Sequence, residues 1–110
     1  MDNLEVSPNE ANEKLSRPGQ AVLIDVREPE EFALSRLEGG HLIPMQSVPA
    51  ELQRLEGWSD EPALLILCHH GVRSLQVAAW LRARGIENAY SIAGGIDRWS
   101  LEVDPTVPRY

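Results

Sequence analysis

Apolar residues in this chain gather in short runs separated by segments with helical spacing. Residues 21–26 and 63–67 read as buried strands, because short aliphatic runs bounded by turn-forming residues suit a strand covered on both faces. Shorter strands are expected at 4–6, near Leu42 and Ile43, and at 90–92. Ser7, Pro8 and Glu10 have the spacing of a capping box with proline at the first helical position, so a helix through about Ser16 should follow the first strand. Pro29 opens a short helix that ends before Gly39 and Gly40, and another runs from Pro49 to about Leu55. The longest is expected from Ser74 to about Arg84, with Val77, Ala78 and Leu81 on one face and Gly85 as its terminator. Strands alternating with helices predict an α/β domain with three layers, in which helices cover both faces of a mainly parallel, five-stranded sheet.

A length of 110 residues with 43% hydrophobic content fits one domain around one core, with no repeat or linker along it. The net charge of −7, from 17 acidic and 10 basic residues, argues against nonspecific binding to nucleic acid or to an anionic membrane. No apolar run approaches the roughly 20 residues needed to cross a bilayer, and the Met1-Asp2-Asn3-Leu4-Glu5 start lacks the features of a secretory leader. A cytoplasmic protein is therefore expected, most simply a monomer. Its one cysteine forms no internal disulfide and is free for chemistry.

That cysteine has an informative address. Leu64, Leu65, Ile66 and Leu67 lead directly into Cys68-His69-His70-Gly71-Val72-Arg73-Ser74, which hands the thiol from an apolar strand to a helix start. Such a loop lies at the carboxyl edge of a parallel sheet, where open α/β folds bind ligands. Unpaired N–H groups and partial positive charge at the helix start favour an anion, so the thiol should ionise more readily than free cysteine. Gly71 can visit positive φ and let successive N–H groups point inward. Arg73 supplies a permanent planar cation that either binds an anionic substrate or braces the loop.

Cys68, Gly71, Arg73 and Ser74 in this spacing resemble the active-site loop of the rhodanese family, and the likeness extends along the chain. Leu23-Ile24-Asp25-Val26-Arg27-Glu28 is similar to the family's second-strand signature, with Glu31-Phe32 where its next helix begins. Glu38-Gly39-Gly40-His41 resembles the approach to the third strand, and Ala93-Gly94-Gly95-Ile96-Asp97-Arg98-Trp99 the segment after the last. These marks cover about residues 4–100, within a single rhodanese-like domain over 1–110 that has a short tail at 101–110. One departure is visible: the family's Gly-His-Ile-Pro is here Gly40-His41-Leu42-Ile43-Pro44, with proline displaced by one residue, which implies a local change of turn near Met45.

The resemblance implies sulfur transfer. Cys68 would take the outer sulfur of thiosulfate or a similar donor as a persulfide and pass it to cyanide or a thiol, with loop N–H groups from His69 to Ser74 stabilising the charge and no metal or organic cofactor. The alternative is a persulfide carrier that delivers sulfur to a protein thiol. Cysteine-dependent phosphatases place five residues between cysteine and arginine, against four here, so phosphatase action is disfavoured. Arsenate reduction would need an external thiol, since there is no second cysteine. A zinc site from Cys68, His69, His70 and His41 lacks paired ligand spacing.

His69 and His70 stand where substrate should approach, and a cationic imidazole in weak acid would favour thiosulfate. Asp25 and Arg27 are expected to give structural support, Asp25 by shaping the neighbouring loop and Arg27 by pairing with a carboxylate. Trp99 and Phe32 read as packing residues, and Trp58 and Trp80 as partly exposed.

Overall fold

The computed structural model describes residues 3–110; Met1 and Asp2, part of the start expected to carry no leader, lie outside the described residues. Among the described residues the sheet has five strands: β1 (Glu5–Val6), β2 (Val22–Asp25), β3 (His41–Leu42), β4 (Leu64–Leu67) and β5 (Ala89–Ile92). All pairings are parallel, in the order β1-β5-β4-β2-β3. From β2 the chain moves toward one edge, and from β4 toward the other. The topological switch point therefore falls between β2 and β4, the position beyond whose carboxyl ends open α/β folds bind ligands. Register places Asp25 opposite Leu67, so Val26 and Cys68 leave the sheet side by side, with Arg27 one residue further on.

Helix α1 (Pro8–Leu15) begins at the capping box read from sequence: Glu10 N–H donates to Ser7 Oγ, and Ser7 N–H donates to the Glu10 carboxylate, each at 3.1 Å. Helix α2 (Pro29–Leu34) follows Pro29. The expected helix from Pro49 is in fact two 3-10 turns, Met45–Ser47 and Pro49–Glu51, leading into a short α3 (Leu52–Glu56). Pro44 and Pro49 each lack an N–H, which breaks up α-helical hydrogen bonding through this stretch. The displaced proline changes only the turn, because Ile43 and Met45 still donate to the carbonyls of Asp25 and Val26 at 2.8 and 2.9 Å.

Helix α4 (Val72–Ala83) starts two residues before the expected Ser74, and α5 (Gly95–Glu102) forms where the hydrophobic pattern assigned no element. Alternation along β4 splits the core. Leu64, Ile66 and Cys68 face a cluster with Leu55, Val77, Ala78 and Leu81, whereas Leu65 and Leu67 face one with Ala11, Ile96 and Trp99. Both sheet faces are thus covered by helices. Trp99 is buried, Phe32 half-buried under the Arg36 guanidinium, and Trp58 and Trp80 half-buried. Residues 103–110 fold back over α5, with the Ser100 hydroxyl donating to the Val107 carbonyl at 2.7 Å.

Candidate active site

Cys68 sits one residue beyond β4 and is 1% exposed. The Gly71 N–H donates to its Sγ at 3.0 Å, and the Ser74 hydroxyl lies 3.2 Å from the same sulfur. Ser91 of β5 holds that hydroxyl from behind, Oγ to Oγ at 2.7 Å. The sulfur therefore lies against the first turn of a twelve-residue helix, whose leading N–H groups have no partners within the helix.

Glycine makes this approach possible. Gly71 has φ +96°, and a Cβ there would come 2.9 Å from the Gly94 nitrogen. Gly95, at φ +62°, leaves still less room, since a Cβ would collide with the carbonyls of Cys68 and His69. The same two carbonyls accept from Ile96 and Asp97 N–H at 2.9 and 3.1 Å, so the start of α5 holds the back of the loop.

Arg73 has turned to Glu31 of α2. Both terminal nitrogens meet both carboxylate oxygens, at 2.6 and 2.8 Å, and the hydrogen bonds to Arg73 hold the Glu31 carboxyl down to about 2. Of the two roles open to Arg73, bracing is the one its geometry serves. Arg27 is fully buried and grips Asp25 through Nε at 2.9 Å and Nη2 at 2.7 Å, while also donating to the Ser35 carbonyl at 2.6 Å. Burial opposes its charge, but hydrogen bonding and attraction from Asp25 and Tyr110 outweigh that and leave the guanidinium more basic than usual. Asp25 also accepts from the Arg27 N–H at 3.1 Å, which shapes the turn after β2.

Tyr110 is the site residue that sequence reasoning missed. Its hydroxyl donates to Glu31 Oε2 at 2.8 Å and accepts from Arg27 Nη1 at 2.9 Å, and its ring stacks on His69 at 3.9 Å. Burial pushes the phenol up to about 12, which keeps it a neutral donor. His70 stacks on His69 as well, at 3.9 Å, and its own side chain is 62% exposed, 3.9 Å from Asp97. His69 is harder to charge than an ordinary imidazole: burial lowers its pKa, the neighbouring His70 adds to this, and a hydrogen bond with the Tyr110 backbone pulls the other way. Its Nε2 is buried without a hydrogen-bond partner among the described residues. His41 stands apart from this stack, with its ring 4.8 Å from that of Trp58. Val72 is exposed at the head of α4.

The arrangement places a buried thiol against the head of α4, with the Gly71 N–H and the Ser74 hydroxyl on its sulfur, in a loop fixed from three sides. Residues 7–102 match the family model described as a rhodanese-like domain. The chain is 34% identical over 95 residues to the thiosulfate sulfurtransferase GlpE of Actinobacillus succinogenes, covering 86% of this chain and 82% of that protein. It is 36% identical over 113 residues to the chloroplastic rhodanese-like/PpiC domain-containing protein 12 of Arabidopsis thaliana, where it covers 96% of its own length but spans only 37% of the relative. Among solved structures, the human single-domain sulfurtransferase TSTD1 superposes with a TM-score of 0.77 at 28% identity, over 92% of this chain and 98% of that one. No helix among the described residues is long and apolar enough to cross a membrane.

Proposed function

Because the chain belongs to the rhodanese-like domain family, we propose that it is a single-domain sulfurtransferase that carries sulfane sulfur on Cys68. The Cys68 thiolate attacks the outer sulfur of thiosulfate or a similar donor. A sulfur–sulfur bond to Cys68 forms as the bond within thiosulfate breaks, and sulfite leaves with the electron pair. A thiol or cyanide then attacks the outer sulfur of the persulfide and restores the thiolate, a double displacement through a covalent intermediate.

Support comes from the Cys68 sulfur itself, which already receives the Gly71 N–H at 3.0 Å beside the Ser74 hydroxyl at the head of α4. Donors fixed in advance where negative charge develops need no reorganisation during the reaction. Asp25 with Arg27 fixes the turn after β2, and Glu31 with Arg73 ties α2 to the head of α4. Val72 and His70 are exposed on the same loop, where a donor could meet them. Steady-state thiocyanate formation from thiosulfate and cyanide tests the reading: parallel double-reciprocal lines, abolished by Cys68→Ala, are expected, and turnover that survives the substitution contradicts it.

A second reading has one observation in its favour, the small share of the longer Arabidopsis thaliana relative that this chain spans. As a module, the domain would hand the Cys68 persulfide to a protein thiol, with slow turnover on cyanide and efficient transfer to that partner.

A further inference from the structure

Three guanidinium groups are built into the surroundings of the loop, and each is committed to a carboxylate. Arg27 grips Asp25 at 2.7 Å, Arg73 grips Glu31 at 2.6 Å, and Arg109 grips Asp97 at 2.8 Å. The Glu31 clamp is the most complete. Oε1 accepts from Arg73 Nη1 and from the Glu28 N–H at 3.0 Å, while Oε2 accepts from Arg73 Nη2 and from the Tyr110 hydroxyl. Four donors saturate one carboxylate, so Glu31 cannot swing away from Arg73 without losing several hydrogen bonds. The imidazole next to the cysteine is sandwiched between Tyr110 and His70, an arrangement in which a charged ring is poorly hydrated. The chain as a whole carries −7, which opposes the approach of a multiply charged anion.

We propose that Glu31, locked by Tyr110, is a specificity-determining positioning residue that withholds the Arg73 charge from the sulfur donor, so that the loop prefers a donor with one negative charge or none, such as the persulfide of a thiol, over the thiosulfate dianion. The proposal rests on Cys68 being the sulfur-carrying nucleophile. With a thiol persulfide, Cys68–S⁻ plus R–S–SH gives Cys68–S–SH plus R–S⁻. The bond between the two donor sulfurs breaks, the leaving thiolate keeps the electron pair, the proton stays on the transferred sulfur, and no outside oxidant is needed. Backbone N–H groups serve both donor classes, whereas only the dianion depends strongly on a free cation.

The test compares thiosulfate with methanethiosulfonate, which present two and one negative charges with the same kind of terminal sulfur and leave as sulfite and methanesulfinate. Both are measured at pH 8, where an ordinary imidazole is neutral. Sulfur loading of Cys68 is followed by intact mass, and each kcat/KM is divided by the rate of the same donor with free cysteine. In the wild type the normalised value should favour the monoanion by about tenfold. Glu31→Gln should shift the ratio toward thiosulfate by about fivefold to tenfold, chiefly through KM for thiosulfate. Tyr110→Phe, which keeps the ring on His69 and removes both hydrogen bonds, should move the ratio the same way by about twofold. Thermal melts identify a Glu31→Gln protein that has lost its fold, in which case the Tyr110→Phe ratio decides. Loading from both donors with a ratio unmoved in the folded variants overturns this inference alone. Absence of sulfur on Cys68 from either donor overturns the sulfurtransferase reading as well.

Discussion

Glu31 and Arg73, 42 residues apart in sequence, meet through two parallel hydrogen bonds of 2.6 and 2.8 Å that tie α2 to the first turn of α4. A carboxylate and a guanidinium matched in this way are stronger than a single-point ion pair and fix direction as well as distance. The Cys68 loop is therefore held by a helix that comes well before it in the chain.

This pair gives the protein an acid-sensitive element. The Arg73 hydrogen bonds hold Glu31 at about 2, below its ordinary 4.5, so the folded state binds the proton less readily than the unfolded chain. The resulting stability is present above about pH 4.5 and is lost as pH falls toward 2. Glu31→Gln should cost about 1–2 kcal/mol at neutral pH, after allowance for solvent screening of this part-exposed pair. It should also flatten the decline in stability between those two pH values. Urea unfolding at pH 7, 4 and 3 measures both effects, and parallel pH profiles for wild type and variant would contradict them.

Gly95→Ala should damage sulfur loading more than any surface change. The new methyl would collide with the carbonyls of Cys68 and His69, at a backbone angle that side chains rarely adopt. Loading of Cys68 in the folded variant should fall by about a hundredfold, because small displacements at a reacting centre are costly. Single-turnover mass measurements, with circular dichroism as the control for folding, provide the check.

Ser74→Ala removes the hydroxyl 3.2 Å from the cysteine sulfur and leaves Ser91 without its buried partner. Loss of one fixed donor at the site of developing charge should slow sulfur transfer by about tenfold or more. An unchanged single-turnover rate would assign Ser74 to packing alone.

His69 should titrate below 6.5, because burial beneath the Tyr110 ring, reinforced by the neighbouring imidazole, disfavours its charge. An unfolded chain takes up this proton more readily, so the contribution is to lose stability as pH falls below about 6.5. Imidazole proton shifts in wild type and Tyr110→Ala measure it directly. The midpoint should rise in the variant, whose imidazole is better hydrated.

The parts of the fold legible in the sequence were those set by local pattern. Aliphatic runs marked β2 and β4, and the Ser7 and Glu10 spacing marked the start of α1, since each depends on neighbours in the chain. Helix α4 begins before its expected start because Gly71 turns the backbone with φ +96° and passes its N–H to the Cys68 sulfur, a local start that uses no capping side chain and so lacks the usual sequence mark. The loop's motif and spacing named Gly71 and Ser74, which contact the Cys68 sulfur, while Arg73 from the same motif turns to Glu31 instead. Tyr110 was illegible for a different reason: its partners Glu31 and Arg27 lie 79 and 83 residues away, and nothing around Arg109 and Tyr110 marks the tail as part of a site.

Intact mass spectrometry after thiosulfate treatment tests the central claim most directly, with Cys68→Ser alongside. The account predicts one added sulfur on the wild type, none on the variant, and loss of that sulfur with thiocyanate formed when cyanide follows. A folded, reduced wild-type protein that gains no sulfur from thiosulfate or from a thiol persulfide, or a Cys68→Ser protein that gains it equally, would contradict the account.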